Sequence, residues 1–278
     1  MGRSLLSKTL CALALLTSAA AQTGTRADTQ ADLPVDVELM LAVDVSYSMS
    51  PAELEIQRRG YAAALRDPAI WNAIANGYHQ RIALTYVEWS GHRQQREVIP
   101  WTLIASPEAL DRFAGALTVE VPRALRRTSI ASLLDHAPRS FERNGFAGDR
   151  RVIDVSGDGP NNDGRVVTAA RDDLLAAGYE INGLPLMTRD SRGPLPDLDD
   201  LDLYYENCVI GGPLSFALPV HSWEEFPPAV RQKLILELAG RRPTPRVEPA
   251  AWRGQTADGY DCLVGEKIWQ LYFGDGME

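Results

Sequence analysis

The sequence predicts an α/β domain with an open, mostly parallel sheet and helices on both faces. Two observations support this fold class. Strand-like and helix-like segments alternate along residues 35–240, as they do when parallel strands are joined by helices. The first strand-like segment, at residues 37–43, is almost continuously apolar and ends at Asp44, which is typical of a strand buried on both faces.

The later segments have recognisable ends. Ser50, Pro51 and Glu53 form an N-terminal capping pattern, so a helix is expected directly after the first strand. We predict further strands at residues 81–89, 96–101 (an antiparallel neighbour), 151–156, 181–187 and within 209–220. We predict helices that start at Ser106, span 130–141 and run from Val167 to Gly178, and a final helix at 226–239, with a long loop at 189–202.

Residues 1–21 have the pattern of a secretory signal peptide. Arg3 and Lys8 supply positive charge, residues 9–17 are apolar, and three alanines offer a cleavage site. A membrane-anchoring helix is the weaker alternative, because a span needs roughly 20 apolar residues. Cys11 lacks the preceding small residues of a lipidation site. We therefore expect export to the periplasm or secretion, with residues 22–34 as a linker.

Charge and composition limit the classes of partner. The 278 residues include 28 Lys and Arg against 37 Asp and Glu, a formal net charge of −9. Losing Arg3 and Lys8 with the signal peptide would take that charge to −11. An acidic protein is a poor match for nucleic acid or an anionic membrane surface. It is compatible with a divalent cation.

Two cysteines, Cys208 and Cys262, would remain after cleavage, and they are expected to pair in an oxidising compartment. Two separate thiols are the alternative.

Residues 241–278 are predicted to be a C-terminal tail packed on the domain, although their aromatic side chains would also suit a contact surface. Asp154 is a carboxylate inside a predicted strand. Either a buried ion pair or a position at the edge of the sheet would explain it.

Oxygen-bearing side chains follow two of the predicted strands. Asp44, Ser46 and Ser48 come directly after the first strand, and Asp158 follows the strand at 151–156. Thr128 precedes a later helix. Ligands of such sheets bind at the carboxyl ends of the strands, and Mg²⁺ prefers hard oxygen ligands. These residues therefore predict a metal site, the alternative being that they only cap the adjoining helix and turn.

The order Asp44-x-Ser46-x-Ser48, then Thr128, then Asp158 with its following glycine resembles the von Willebrand factor A (vWA) superfamily. Members of this superfamily carry a metal-ion-dependent adhesion site (MIDAS) on a Rossmann-like domain. The resemblance implies that Ser46 and Ser48 bind the metal directly, and that Asp44 and Asp158 bind it directly or through water. It also implies that Thr128 is a switchable ligand and that a partner's carboxylate completes the shell.

Two longer sequence segments resemble a smaller group within this superfamily. IDVSGDGPNNDG, at residues 153–164, and YYENCVIGGP, at 204–213, are similar to a group of uncharacterised exported bacterial proteins in the superfamily. Two departures from the superfamily pattern stand out. The usual Thr-Asp-Gly is replaced by a Ser-Gly-Asp-Gly sequence that moves the carboxylate of Asp158 along by one residue, and the loop before Thr128 is rich in arginine rather than glycine.

The function these features predict is an exported, non-enzymatic, metal-dependent protein-binding module. It would dock an Asp or Glu carboxylate of a partner through Mg²⁺, with Mn²⁺ or Ca²⁺ as alternatives. A phosphoesterase-like hydrolase is a second hypothesis, in which Asn161, Asn162 and Asp163 orient a substrate. A metal-independent envelope scaffold is a third. The sequence contains no GxSxG, HExxH or P-loop motif. We expect the mature chain neither to bind nucleic acid nor to insert into a membrane.

Overall fold

The computed structural model describes residues 31–119, 124–188, 196–240 and 259–274. The predicted signal peptide and most of the predicted linker lie outside these ranges. The fold is α/β, as predicted. The described strands are β1 (Leu33–Asp44), β2 (Ile82–Trp89), β3 (Gln95–Ile104), β4 (Phe146–Gly157) and β5 (Glu180–Pro185).

The strands form one sheet in the order β3-β2-β1-β4-β5. β1 lies at the centre and pairs in parallel with β2 and β4, and β5 pairs in parallel with β4. Only β3 is antiparallel, next to β2, as predicted. The chain therefore leaves β1 for one side of the sheet and later returns on the other, which opens a crevice at the carboxyl ends of β1 and β4.

Helices cover both faces of the sheet. They are α1 (Pro51–Leu65), α2 (Pro68–Ala75), α3 (Pro107–Ala116), α4 (Ile130–Phe141), α5 (Val167–Ala176), α6 (Leu201–Tyr204), α7 (Phe226–Leu238) and α8 (Val264–Phe273). A π-helical turn, Tyr205–Val209, follows α6 directly.

The alternation of side chains along β1 divides the core in two. Leu39 and Leu41 point to one face, where they pack with α1, α2, α3 and α7, while Met40 and Ala42 point to the other, where α4, α5, α6 and the π-helical turn lie. Both faces of β1 are therefore buried. This explains why the strand is an apolar run instead of an alternating one.

Several described elements differ from the prediction. The strand expected within 209–220 is wrong: the segment makes only isolated bridges, such as Gly183 with Ala217. Gly212 at φ +105° and two prolines interrupt any continuous ladder there. The helix at 226–239 is not the last, because α8 follows it. The short helix α2, capped by Asp67, has no counterpart in the prediction. Neither has α6, which begins inside the loop predicted at 189–202.

Cys208 and Cys262 are joined by a disulfide, with their Cα atoms 5.5 Å apart. It connects the π-helical turn to the segment that leads into α8. Asp154 makes a buried ion pair with Lys233 of α7, and its position is not at an edge, since β4 lies between β1 and β5.

No helix in the described part of the chain has the length and apolar character needed to cross a membrane.

Candidate metal site

The loop after β1 is built around Asp44. This residue is fully buried at the end of the strand, and its Oδ1 accepts a hydrogen bond of 2.6 Å from the backbone N–H of Ser46. Gln57 of α1 donates to the backbone carbonyl of Asp44 at 3.3 Å. Ser50 then caps α1 in the predicted capping box. The carboxylate is thus fixed between the end of a strand and the start of a helix.

Asp158 reaches the same loop from β4. The hydroxyl of Ser48 donates to Asp158 Oδ1 at 2.8 Å, and the Oγ atoms of Ser46 and Ser48 lie 2.9 Å apart. Asp158 stands one residue later than the aspartate of the usual Thr-Asp-Gly sequence. As a result, Gly157 is the residue that lies against Asp44. A Cβ at position 157 would lie 3.0 Å from Asp44 Oδ2, so a glycine leaves room for the carboxylate.

Thr128 lines the same cleft as Ser46, Ser48 and Asp158 and is 5 % exposed. The structure therefore brings all five predicted site residues to one end of the sheet. The loop of Thr128 is held by Asn162, whose Oδ1 accepts from the Thr128 N–H at 3.0 Å and whose own N–H donates to the Thr128 carbonyl at 2.8 Å. These two bonds fix the loop without the glycines typical of the superfamily.

The neighbouring residues have structural partners too. The Oδ1 of Asn161 accepts from the N–H of Ala131 in the first turn of α4 at 3.0 Å. Asp163 Oδ2 accepts from the N–H of His92 at 2.8 Å. The polar groups that the hydrolase hypothesis assigned to a substrate are thus used to hold loops together.

The site is electrostatically unbalanced. Asp44 Oδ2 is buried and has no hydrogen-bond partner among the described residues. Burial raises the pKa of Asp44 well above its usual value, and the charge of Asp158 raises it further. Burial also raises the pKa of Asp158 to about 6, with a smaller opposing effect from the Ser48 hydrogen bond. Two carboxylates held this close favour a cation between them.

The donor set fits a hard divalent cation. In the described ranges, no three or more His, Cys, Asp or Glu side chains form a group that could hold a metal ion. The cleft offers two carboxylates with hydroxyl oxygens instead, a set suited to Mg²⁺, Mn²⁺ or Ca²⁺ rather than to a metal held by Cys and His. The unpartnered oxygen of Asp44 is the atom that such an ion would satisfy.

Sequence reasoning missed the wall of the cleft. Ile268 and Trp269 of α8 line it, and the guanidinium of Arg127 lies 3.9 Å from the centre of the Trp269 ring. Asn161 donates to Glu266 of α8 at 2.7 Å. The helical spacing of apolar residues in 264–273 could have revealed α8, but nothing in the sequence indicated that it lies beside Thr128.

Replacing Asp44 with asparagine is expected to stabilise the metal-free protein at neutral pH. A raised pKa means that this carboxyl contributes stability fully below its unfolded-state pKa, and that the contribution is lost as the pH rises through the folded-state pKa. Asparagine cannot ionise. We expect a higher free energy of unfolding than that of the wild type in chelator at pH about 7.5, and little difference at pH about 4.

Urea denaturation at both pH values measures this effect. Asp111→Asn is the matched control, because Asp111 is exposed and its ion pair with Arg66 should be worth little. A loss of stability in Asp44→Asn at neutral pH would contradict the electrostatic argument.

The chain was compared with protein families, curated proteins and solved structures. The sequence profile of the family described as "Protein of unknown function (DUF1194)" matches residues 34–242. No curated protein matches the chain. Among solved structures, proximal thread matrix protein 1 (PTMP1) from the mussel byssus, with a zinc-occupied MIDAS motif, superposes with a TM-score of 0.51 at 17% identity. That match covers 75% of this chain and 49% of PTMP1.

The pilus adhesin SpaC from Lactobacillus rhamnosus GG gives a TM-score of 0.53 at 12% identity, covering 75% of this chain and 32% of SpaC. The chain thus spans about half the length of PTMP1 and a third of SpaC. A von Willebrand factor type A structure from Catenulispora acidiphila gives a TM-score of 0.48 at 14% identity, covering 74% of this chain and 43% of that one. At these identities the likeness concerns the fold alone. The chain belongs to the DUF1194 family, and it shares its α/β fold with PTMP1 and SpaC.

Proposed function

We propose that this protein is an exported, non-enzymatic module that binds a protein partner through a divalent cation, with Mg²⁺ as the expected ion. The ligands would be Ser46, Ser48 and Thr128 with the carboxylates of Asp44 and Asp158. The observation that carries the proposal is the buried, unpartnered Oδ2 of Asp44 beside a second carboxylate. Without a cation, this arrangement costs the fold free energy.

The cleft also has the features expected of a docking site. It encloses about 100 Å³ next to Ser46, Ser48 and Asp158. Its walls include Arg127 and the ring of Trp269, and Tyr47 beside it is 63 % exposed. A bound cation would supply a positive charge to which a carboxylate of the partner binds. Arg127 would support that carboxylate, and the exposed aromatic rings would contact the chain around it.

The neighbouring folds support this class of function. One is a matrix protein of the mussel byssus with zinc at its MIDAS, and another is a pilus adhesin. Both names describe proteins of assemblies outside the cell, which is consistent with the export proposed from residues 1–21. Neither name describes an enzyme.

Metal binding is tested by isothermal titration calorimetry of the purified chain with Mg²⁺ and Mn²⁺. We expect binding by the wild type and an affinity at least about tenfold weaker in Ser46→Ala and Asp158→Asn, since the loss of one ligand of modest strength is worth about 1.4 kcal/mol. At 100 times the dissociation constant, the ion should raise the free energy of unfolding by about 2.7 kcal/mol. Asp111→Asn is the control and should bind like the wild type.

Partner binding is tested with two peptides of equal length, one rich in glutamate and one rich in glutamine. The glutamate peptide should bind only with Mg²⁺ present, and chelator should release it. Equal binding of both peptides, or binding that chelator leaves unchanged, would overturn the carboxylate part of the proposal. Failure of the wild type to bind either ion would overturn the whole of it.

A further inference from the structure

A second cluster of ionisable groups lies inside the domain, away from the metal site. Lys233 of α7 is fully buried against the sheet, and its Nζ lies 2.6 Å from Oδ1 of Asp154 in the middle of β4. Glu237, one turn further along α7, contacts the same Nζ and is 1 % exposed. One amine and two carboxyl groups therefore share a site that excludes bulk water.

The contact between Lys233 and Asp154 is not an ordinary hydrogen-bonded ion pair. Neither carboxyl oxygen of Asp154 accepts a hydrogen bond from any described residue, although the amine lies at contact distance. The Nζ donates instead to Oε1 of Glu237. The nitrogen is thus held against the carboxyl group of Asp154 without the alignment of a hydrogen bond, while one of its protons is donated to Glu237.

The surroundings favour the uncharged form of the Asp154 carboxyl group. Burial raises the pKa of Asp154 to about 7, and the charge of Glu237 adds to this effect while Lys233 opposes it. The Phe216 ring centre lies 5.5 Å from Nζ, so one side of the amine is apolar. A desolvated lysine that gives up its proton becomes a nucleophile.

Glu237 is itself held in place. Asn182, the register partner of Asp154 on β5, donates to Glu237 Oε1 at 2.9 Å and accepts from the N–H of Phe216 at 3.1 Å. The other oxygen of Glu237 has no hydrogen-bond partner among the described residues. A fixed carboxylate with a free oxygen beside both the amine and the acid is suited to moving a proton between them.

We propose that Lys233 and Asp154 become joined by an intramolecular amide bond that links α7 covalently to β4. Lys233 first passes one proton to the Asp154 carboxylate of the ion pair, 2.6 Å away. The amine so formed attacks the Cγ of the protonated carboxyl group, and a C–N bond forms. Glu237 accepts a proton from the nitrogen and returns it to the departing hydroxyl, so the C–O bond breaks and one water molecule leaves. The reaction needs no oxidant, reductant or metal, and the net charge of the pair is zero before and after.

The first test is the mass of the wild-type chain, measured after reduction of the disulfide and with the N-terminus identified in the same digest. We expect a mass lower than that of the sequence by one water molecule, and a branched peptide that joins the β4 segment to the α7 segment. A full sequence mass, with Lys233 and Asp154 in separate peptides, would overturn the proposal. This measurement needs no variant and does not depend on metal binding.

Variants test the chemistry. Asp154→Asn should lose one ammonia instead of one water, because the leaving group changes with the side chain. Glu237→Gln keeps the size of the side chain but cannot accept the proton, and it should retain the full mass. A Glu237→Gln chain that still loses water would overturn the role of Glu237. Lys267→Arg, at an exposed ion pair on α8, is the control and should show the wild-type loss.

Discussion

Replacing Arg58 with methionine is expected to lower the free energy of unfolding by about 3–5 kcal/mol, since it leaves a buried charge without its partner. Arg58 on α1 donates from Nε to Glu88 on β2 at 2.9 Å, and the two side chains are 3 % and 4 % exposed. Methionine fills similar space but leaves the Glu88 carboxylate, among the described residues, with the half-exposed Arg96 at 3.0 Å as its remaining ion-pair partner. Urea denaturation measures the loss.

Two controls make this prediction specific. Arg66→Met removes an exposed ion pair with Asp111 and should cost less than about 1 kcal/mol. Replacing both Arg58 and Glu88 with apolar residues should recover much of the loss, because no unpaired charge then remains. A cost for Arg58→Met no larger than that for Arg66→Met would contradict the argument.

Replacing Cys208 and Cys262 with alanine together is expected to cost about 4 kcal/mol, on the chain-entropy account of a long closed loop. The two residues are 54 positions apart, and Cys208 is fully buried beside Tyr204 and Tyr205. Their bond ties the segment before α8 to the domain. Without it, we expect α8 to separate from the cleft more often than in the wild type.

This second prediction also distinguishes two parts of the proposed function. The proposed ligands lie outside α8, so the alanine variant should bind Mg²⁺ with nearly wild-type affinity under conditions in which it is folded. The glutamate peptide should bind more weakly, because Trp269 and Ile268 line the cleft from α8. Calorimetry with the ion and then with the peptide measures both. Equal loss of both would mean that α8 supports the proposed metal ligands themselves.

Much of the fold could be predicted because local patterns and tertiary packing agree. The capping box at Ser50, the apolar run of β1 and the helical spacing in α4 each have the structure that the residues favour. One failure lies where backbone chemistry overrides side-chain pattern. The apolar residues in 209–220 resemble a strand, but glycine and proline reduce the segment to isolated bridges.

The candidate site was partly predictable because some of its residues are close in sequence or follow neighbouring parallel strands. Asp44, Ser46 and Ser48 are close in sequence, so their spacing alone indicates a shared loop. The proximity of Asp158 followed from the rule that parallel strands end at one edge. The brace from Asn162 to Thr128 and the position of α8 depend on contacts between distant segments, which one sequence does not display.

The hydrogen bond between Ser48 and Asp158 joins residues 110 positions apart in the chain. We expect pairing of this kind to form late, since the entropy of closing so long a loop must be overcome before β4 docks on β1. An ion bound between these residues would recognise only a chain in which that docking is complete. It would therefore act mainly by slowing the unfolding step, and the rate of folding would remain a property of the strands alone.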